Sequence, residues 1–113
     1  MPYTIREERS YEKPADTLRQ AALGAVSGLE GTVLKQNESH IEAKFDKKIL
    51  GKVLGERTQI ELELSPAESD QICVRVIAYP IDAVGRKLMF GARKGVTKTV
   101  LTWFWAHLEH RID

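Results

Sequence analysis

The chain has 113 residues, 42% of them hydrophobic and 29% charged, a composition that argues for one globular domain and against disorder. Its formal net charge of +1 supplies no overall field to draw it to a polyanion. Cys73 is the only cysteine, which excludes an internal disulfide and a cysteine metal framework and fits a reducing compartment. The N-terminal "MPYTIREERSY" has no apolar signal-peptide core, and no run reaches the roughly 18 apolar residues of a membrane span. The expected setting is the cytoplasm.

Along the chain, residues 3–11 place Tyr3, Ile5, Glu7, Arg9 and Tyr11 at alternate positions, a strand whose pattern is only partly apolar. "EKPAD" changes the period: Pro14 is tolerated in a first helical turn, and Asp16 favours a helix start by charge–dipole attraction. Leu18, Ala22, Ala25, Val26 and Leu29 then recur at helical spacing, predicting a helix over 15–29 with Gly28 and Gly31 as stops. "GTVLKQNESHIEAKF" reads as two strands about the polar turn "QNES". Ile41, Ala43 and Phe45 share one face, and His40, Glu42 and Lys44 share the other, as in a sheet covered on one side. The apolar positions Ile49, Leu50, Val53 and Leu54 suggest a short amphipathic helical turn over 47–54, weakened by Gly51 and Gly55, with an irregular strand as the alternative. "RTQIELELS" alternates again, with Ile60, Leu62 and Leu64 inward and Glu61 and Glu63 outward. "QICVRVIAYP" is near-continuously apolar, a central strand stopped by Pro80, with Cys73 as a buried, inert thiol. Residues 86–112 read as helical.

The order β-α-β-β-β-β-α predicts an α+β fold: an antiparallel sheet of about five strands with a long C-terminal helix packed on one face. With its strand-to-helix transition "SYEKPADTL", the chain resembles the TBP-like and helix-grip folds, which include the START/Bet v 1-like superfamily. The resemblance covers most of the chain in element order and about nine residues in motif. It implies a long helix laid across the sheet and carries over no catalytic or binding residue.

Charge is unevenly distributed. Residues 1–82 hold 11 Lys and Arg against 14 Asp and Glu, whereas residues 83–113 hold 6 against 2. The excess lies in "RKLMFGARKGVTKTVLTWFWAHLEH", where Arg86, Lys87, Arg93, Lys94 and Lys98 form a candidate basic patch ahead of Trp103, Phe104 and Trp105. Phosphate contacts by these cations and stacking by the tryptophans would suit nucleic acid, but the aromatics follow the cations instead of alternating with them. "GARKGVTKT" lacks the four-residue spacing and the Lys-Ser/Thr step of a phosphate loop. His107 and His110, three apart, lack the order and third ligand of a helical zinc site. No serine sits in a nucleophile elbow, and Glu61, Glu63, Glu7 and Glu8 read as solvated strand carboxylates. The sequence therefore predicts no catalytic residue, cofactor or metal.

A helical wheel of the C-terminal segment gives an apolar arc about 200° wide, where packing on a single sheet needs somewhat more than about 100°. Leu101, Trp105, Leu108 and Ile112 form the surplus flank and are the candidate interface. The leading expectation is a non-enzymatic interaction module that binds a protein partner, or a second copy of itself, through this helix. Two alternatives stand beside it: a binder of a small hydrophobic ligand between helix and sheet, and a nucleic-acid binder using residues 86–98.

Overall fold

In a computed structural model, which describes residues 3–92 and 95–112, the chain forms the expected α+β architecture. Among the described residues, seven strands and two helices follow in the order β1 (Ile5–Tyr11), α1 (Ala15–Gly28), β2 (Thr32–Gln36), β3 (His40–Phe45), β4 (Lys48–Ile49), β5 (Lys52–Val53), β6 (Arg57–Pro66), β7 (Ile72–Ile81) and α2 (Val96–Ile112). Five strands build one sheet in the order β1-β7-β6-β3-β2, antiparallel throughout. Both helices pack on one another and on the inner face of this sheet. Among the described residues no helix is long and apolar enough to cross a membrane.

Period-2 alternation sets the sheet. Ile41, Ala43 and Phe45 of β3 and Ile60, Leu62 and Leu64 of β6 turn inward and are buried, while Glu42, Lys44, Glu61 and Glu63 lie on the outer face. The β2–β3 turn closes as its composition suggests: Asn37 Oδ1 accepts the backbone N–H groups of Ser39 (3.0 Å) and His40 (2.9 Å), an Asx-type turn. β7 runs through Pro80 instead of stopping there, because Pro80 needs no ladder donor: its carbonyl accepts the Leu88 N–H at 3.0 Å. Cys73 is a free thiol, only partly buried.

α1 ends in a Schellman arrangement. The Gly31 N–H reaches Val26 O (2.8 Å) and the Glu30 N–H reaches Ser27 O (3.0 Å), with Glu30 at φ +62°. The left-handed residue is thus a glutamate, and neither of the two expected glycine stops. Gly31 is required for another reason: a Cβ there would lie 2.6 Å from the Phe45 ring.

Two segments differ from expectation. Residues 47–54 form the two-residue hairpin β4–β5, with Leu50 and Gly51 at φ +51° and +82°. Both values are positive, as a type I′ turn demands. The C-terminal helix starts ten residues later than the sequence suggests. Asp82 caps the turn that follows β7 by accepting from Val84 N and Arg86 N, each at 2.9 Å. Lys87 then bridges back to Ile81, and Gly95 at φ +87° precedes the first helical residue.

The flank of the α2 arc offered as an interface is covered from within the chain. Leu101, Trp105 and Leu108 are no more than 1% exposed and Ile112 7%, so the expected partner-facing flank is corrected to core. Two surfaces cover the helix where the arc argument counted one: α1, and the inner face of the sheet out to its polar edge strand β1. On that side the Trp105 indole N–H donates to Glu7 Oε1 (2.8 Å), and the Arg9 guanidinium lies 4.7 Å from the Trp105 ring centre. Glu109 accepts from Arg9 (2.8 Å) and from the Tyr11 hydroxyl (2.6 Å). The half-polar alternation of β1 is therefore matched, group by group, by α2.

Candidate functional site

A cleft of about 330 Å³ opens where the β4–β5 hairpin overhangs the two helices, lined by Leu29, Ile49, Leu50, Lys52, Trp103, Ala106 and His107. It does not lie between α2 and the sheet. That space is filled by Leu101, Phe104, Trp105 and Leu108, all buried, with the Phe104 and Trp105 rings edge-to-face at 5.9 Å.

Local rules place each wall. Leu29 caps α1 and is buried at the base of the cleft. Trp103, Ala106 and His107 follow at helical spacing along α2, on the border between its buried and exposed sides. The hairpin supplies buried Ile49 and, at its tip, Leu50, which is 55% exposed. A leucine at positive φ is strained, by roughly 1–2 kcal/mol, and its exposure is unfavourable as well. The β4–β5 ladder sets the turn, and the Leu50 N–H donates to Glu30 Oε1 at 2.6 Å. The left-handed residue that ends α1 thus clamps the overhanging tip.

The polar groups of the cleft are few. Lys52 Nζ stands 5.9 Å from the Trp103 ring centre. Burial, reinforced by the charges of Arg111 and His110, pushes the His107 pKa down. Arg111, which can only donate, approaches His107 Nδ1 at 3.4 Å and bonds the His107 carbonyl at 3.0 Å. Nδ1 therefore faces a donor, and neutral His107 carries its proton on Nε2. Arg111 lies across α1 where Gly24 and Gly28 have no side chain to block it. The result is an apolar cleft with the Lys52 ammonium at its mouth and a neutral imidazole in its wall.

The structure separates the expected basic patch. Lys87 Nζ sits 4.4 Å from the Tyr79 ring centre on the outer face of the sheet. Lys98 projects from α2 on the opposite side of the sheet and pairs with Glu7 of β1. Arg86 is exposed in the turn after β7, while Arg93 and Lys94 lie outside the described residues. The described members therefore do not share one surface with the tryptophans. His107 faces the cleft and Arg111, and His110 is exposed. Among the described residues, the side chains that can jointly hold a metal are His40, Glu42 and Glu61, away from the cleft on the outer face.

The sequence draws attention to Trp103 for base stacking and to His107 for metal, and to neither as the wall of a cleft. Trp103 at the edge of the apolar arc is the available signal, but the hairpin that completes the cleft has helix-like apolar spacing.

This arrangement, a long C-terminal helix against the inner face of an antiparallel sheet with the first helix bracing it, is consistent with a Bet v 1-like fold. The chain is similar in structure to Ara h 8.0201, a Bet v 1 family allergen, at 13% identity and a TM-score of 0.57, covering 97% of each chain. It is also similar to CV1439 from Chromobacterium violaceum (12% identity, TM-score 0.56, 97% of this chain and 96% of that one). A third similar structure is CalU16 from Micromonospora echinospora (10%, 0.50, 96% and 78%). At these identities the likeness is one of fold. No protein-family model and no curated protein sequence matches the chain.

Proposed function

We propose that the chain is a non-enzymatic binding module whose ligand is a small, mainly apolar molecule with an anionic head, held in the cleft between the β4–β5 hairpin and α2. The observation that carries this reading is the cleft itself: about 330 Å³, walled by Leu29, Ile49, Leu50, Trp103 and Ala106, with the Lys52 ammonium at its mouth. Its size is at the lower end of the roughly 300–1,000 Å³ typical of small-molecule sites, suited to a short alkyl acid or a one- or two-ring aromatic acid. Apolar walls with one charged group are the usual division of labour in such sites, the walls giving affinity and the charge fixing orientation. The exposed leucine at the hairpin tip supports the reading, because a ligand beneath it would cover the apolar surface it now shows to water. The helix-grip likeness supports it through fold alone. A protein partner on the Leu101, Trp105, Leu108 and Ile112 flank loses its support, since those side chains are in the core.

Titration with octanoate and with 1-anilinonaphthalene-8-sulfonate, followed by tryptophan emission, tests the proposal. Trp103 lines the cleft whereas Trp105 is buried, so a saturable change reports the site. Lys52→Ala is expected to weaken binding of either anion about tenfold, close to 1.4 kcal/mol, and Ala106→Trp to abolish it while the protein stays folded. Equal affinities in wild type and Ala106→Trp would overturn the assignment.

A further inference from the structure

We infer that the outer face of the sheet carries a divalent transition-metal site formed by His40 and Glu42 of β3 with Glu61 of β6. One ligand atom from each of these three side chains lies within 4.8 Å of the other two. The sheet places them there. His40 and Glu42 are two residues apart on one strand and so share a face, and Glu61 is the register partner of Glu42 on the neighbouring strand.

Two carboxylates directly opposite each other across a ladder repel. Among the described residues, neither Glu42 nor Glu61 has a lysine or arginine within 4.0 Å. The groups that do meet them are an imidazole and a phenol. His40 Nε2 bonds Glu42 Oε2 at 2.8 Å, and the Tyr79 hydroxyl donates to Glu61 Oε2 at 2.6 Å. The imidazole and both carboxylates are only partly exposed, so water screens the repulsion incompletely. Among the described residues the pair thus has no lysine or arginine beside it, and an imidazole stands next to it.

The donor set selects the ion. One nitrogen and two carboxylate oxygens, with no thiolate, suit zinc and its first-row neighbours; calcium and magnesium prefer all-oxygen sites. A tetrahedral ion with bonds of about 2.0–2.2 Å needs its ligands roughly 3.3 Å apart, so the side chains must close in by rotation while the strands stay in register. Binding replaces the Nε2 proton with the metal and moves the ring proton to Nδ1. That atom faces Glu63 Oε1 at 3.8 Å, the carboxylate–histidine–metal relay that fixes a ligating imidazole. Tyr79 plays the matching part for Glu61. Three protein ligands leave the fourth position to water.

Isothermal titration of metal-free protein with zinc, and absorption spectroscopy with cobalt(II), test the site. The expected result is one saturable equivalent with tetrahedral ligand-field bands. His40→Ala and Glu61→Gln should each weaken it by more than tenfold, and Tyr79→Phe by about tenfold, the usual loss for an outer-shell partner. His110→Ala should leave it unchanged. The inference is overturned if no saturable binding appears, if binding survives in folded His40→Ala, or if it disappears with His110→Ala. Circular dichroism on each variant separates loss of the site from loss of the fold. The groove titration shares no residue with this one, so either proposal can fail without the other.

Discussion

Replacing Glu7 with glutamine probes the seam that joins β1 to α2. Glu7 accepts the Trp105 indole N–H and pairs with Lys98. Glutamine keeps an acceptor for the indole, so that bond falls from charged to neutral strength, a loss of about 1 kcal/mol. The Lys98 pair is also lost; with that side chain 57% exposed, solvent screening limits its share to at most about 1 kcal/mol. The expected destabilisation at neutral pH is therefore about 2 kcal/mol, or close to 8 °C in Tm for a domain of this size. Its pH dependence has a definite sign. The Lys98 hydrogen bond above all, assisted by Trp105, holds the Glu7 carboxyl below the ordinary glutamate value of 4.5 despite its partial burial. The unfolded chain therefore takes up the proton first as pH falls. The stabilisation is fully present above about 4.5 and disappears as pH drops through the lower folded value. Thermal unfolding of wild type and Glu7→Gln by circular dichroism at pH 7 and pH 3 should show a gap of about 8 °C at pH 7 that is smaller at pH 3. Equal stability at pH 7, or a gap of the same size at both, would refute this account of the seam. Glu109, also held low, first by the Tyr11 hydroxyl and then by Arg9, contributes to the acid limb of both proteins and cancels in the difference.

Two further substitutions test the packing. Thr58 is fully buried and its hydroxyl has no hydrogen-bond partner among the described residues, so Thr58→Val should raise stability by about 1 kcal/mol; a lower midpoint in urea would show that the hydroxyl is satisfied. Gly31→Ala puts a methyl 2.6 Å from the Phe45 ring and should cost about 1–3 kcal/mol, with an unchanged melting temperature counting against so tight a contact.

Strand alternation was legible in β3 and β6 because each strand faces core on one side only, and such strands show their burial residue by residue. The hairpin was not. Ile49, Leu50, Val53 and Leu54 repeat as a helix would, and the Leu-Gly pair at the turn lacks the asparagine or aspartate that usually marks positive φ. The start of α2 was placed early because residues 86–95 carry no period to contradict a helix. The width of the α2 arc was correctly read, but one helix cannot say what covers it: Glu7, Arg9 and Tyr11 looked too polar to face a core, and they face Trp105 and Glu109. The cleft draws on α1, the hairpin and α2, and no local pattern links them. The His40–Glu42 spacing was visible as two positions on one strand face, whereas Glu61 joins them only through the register of β3 on β6.

The sheet ends in two strands that neighbouring molecules would find hard to extend. β2 is only five residues long and shifts register between Val33 and Lys35, so its free hydrogen-bonding groups do not present an even ladder. β1 carries four charges in seven residues, and Glu7 and Arg9 are already engaged with α2; a strand arriving alongside would have to desolvate the remaining pair. Short, kinked or charged borders are how open sheets resist growing into fibrils. Among the described residues both borders of the sheet are left without a further strand, and their length, register shift and charge make them poor templates for one.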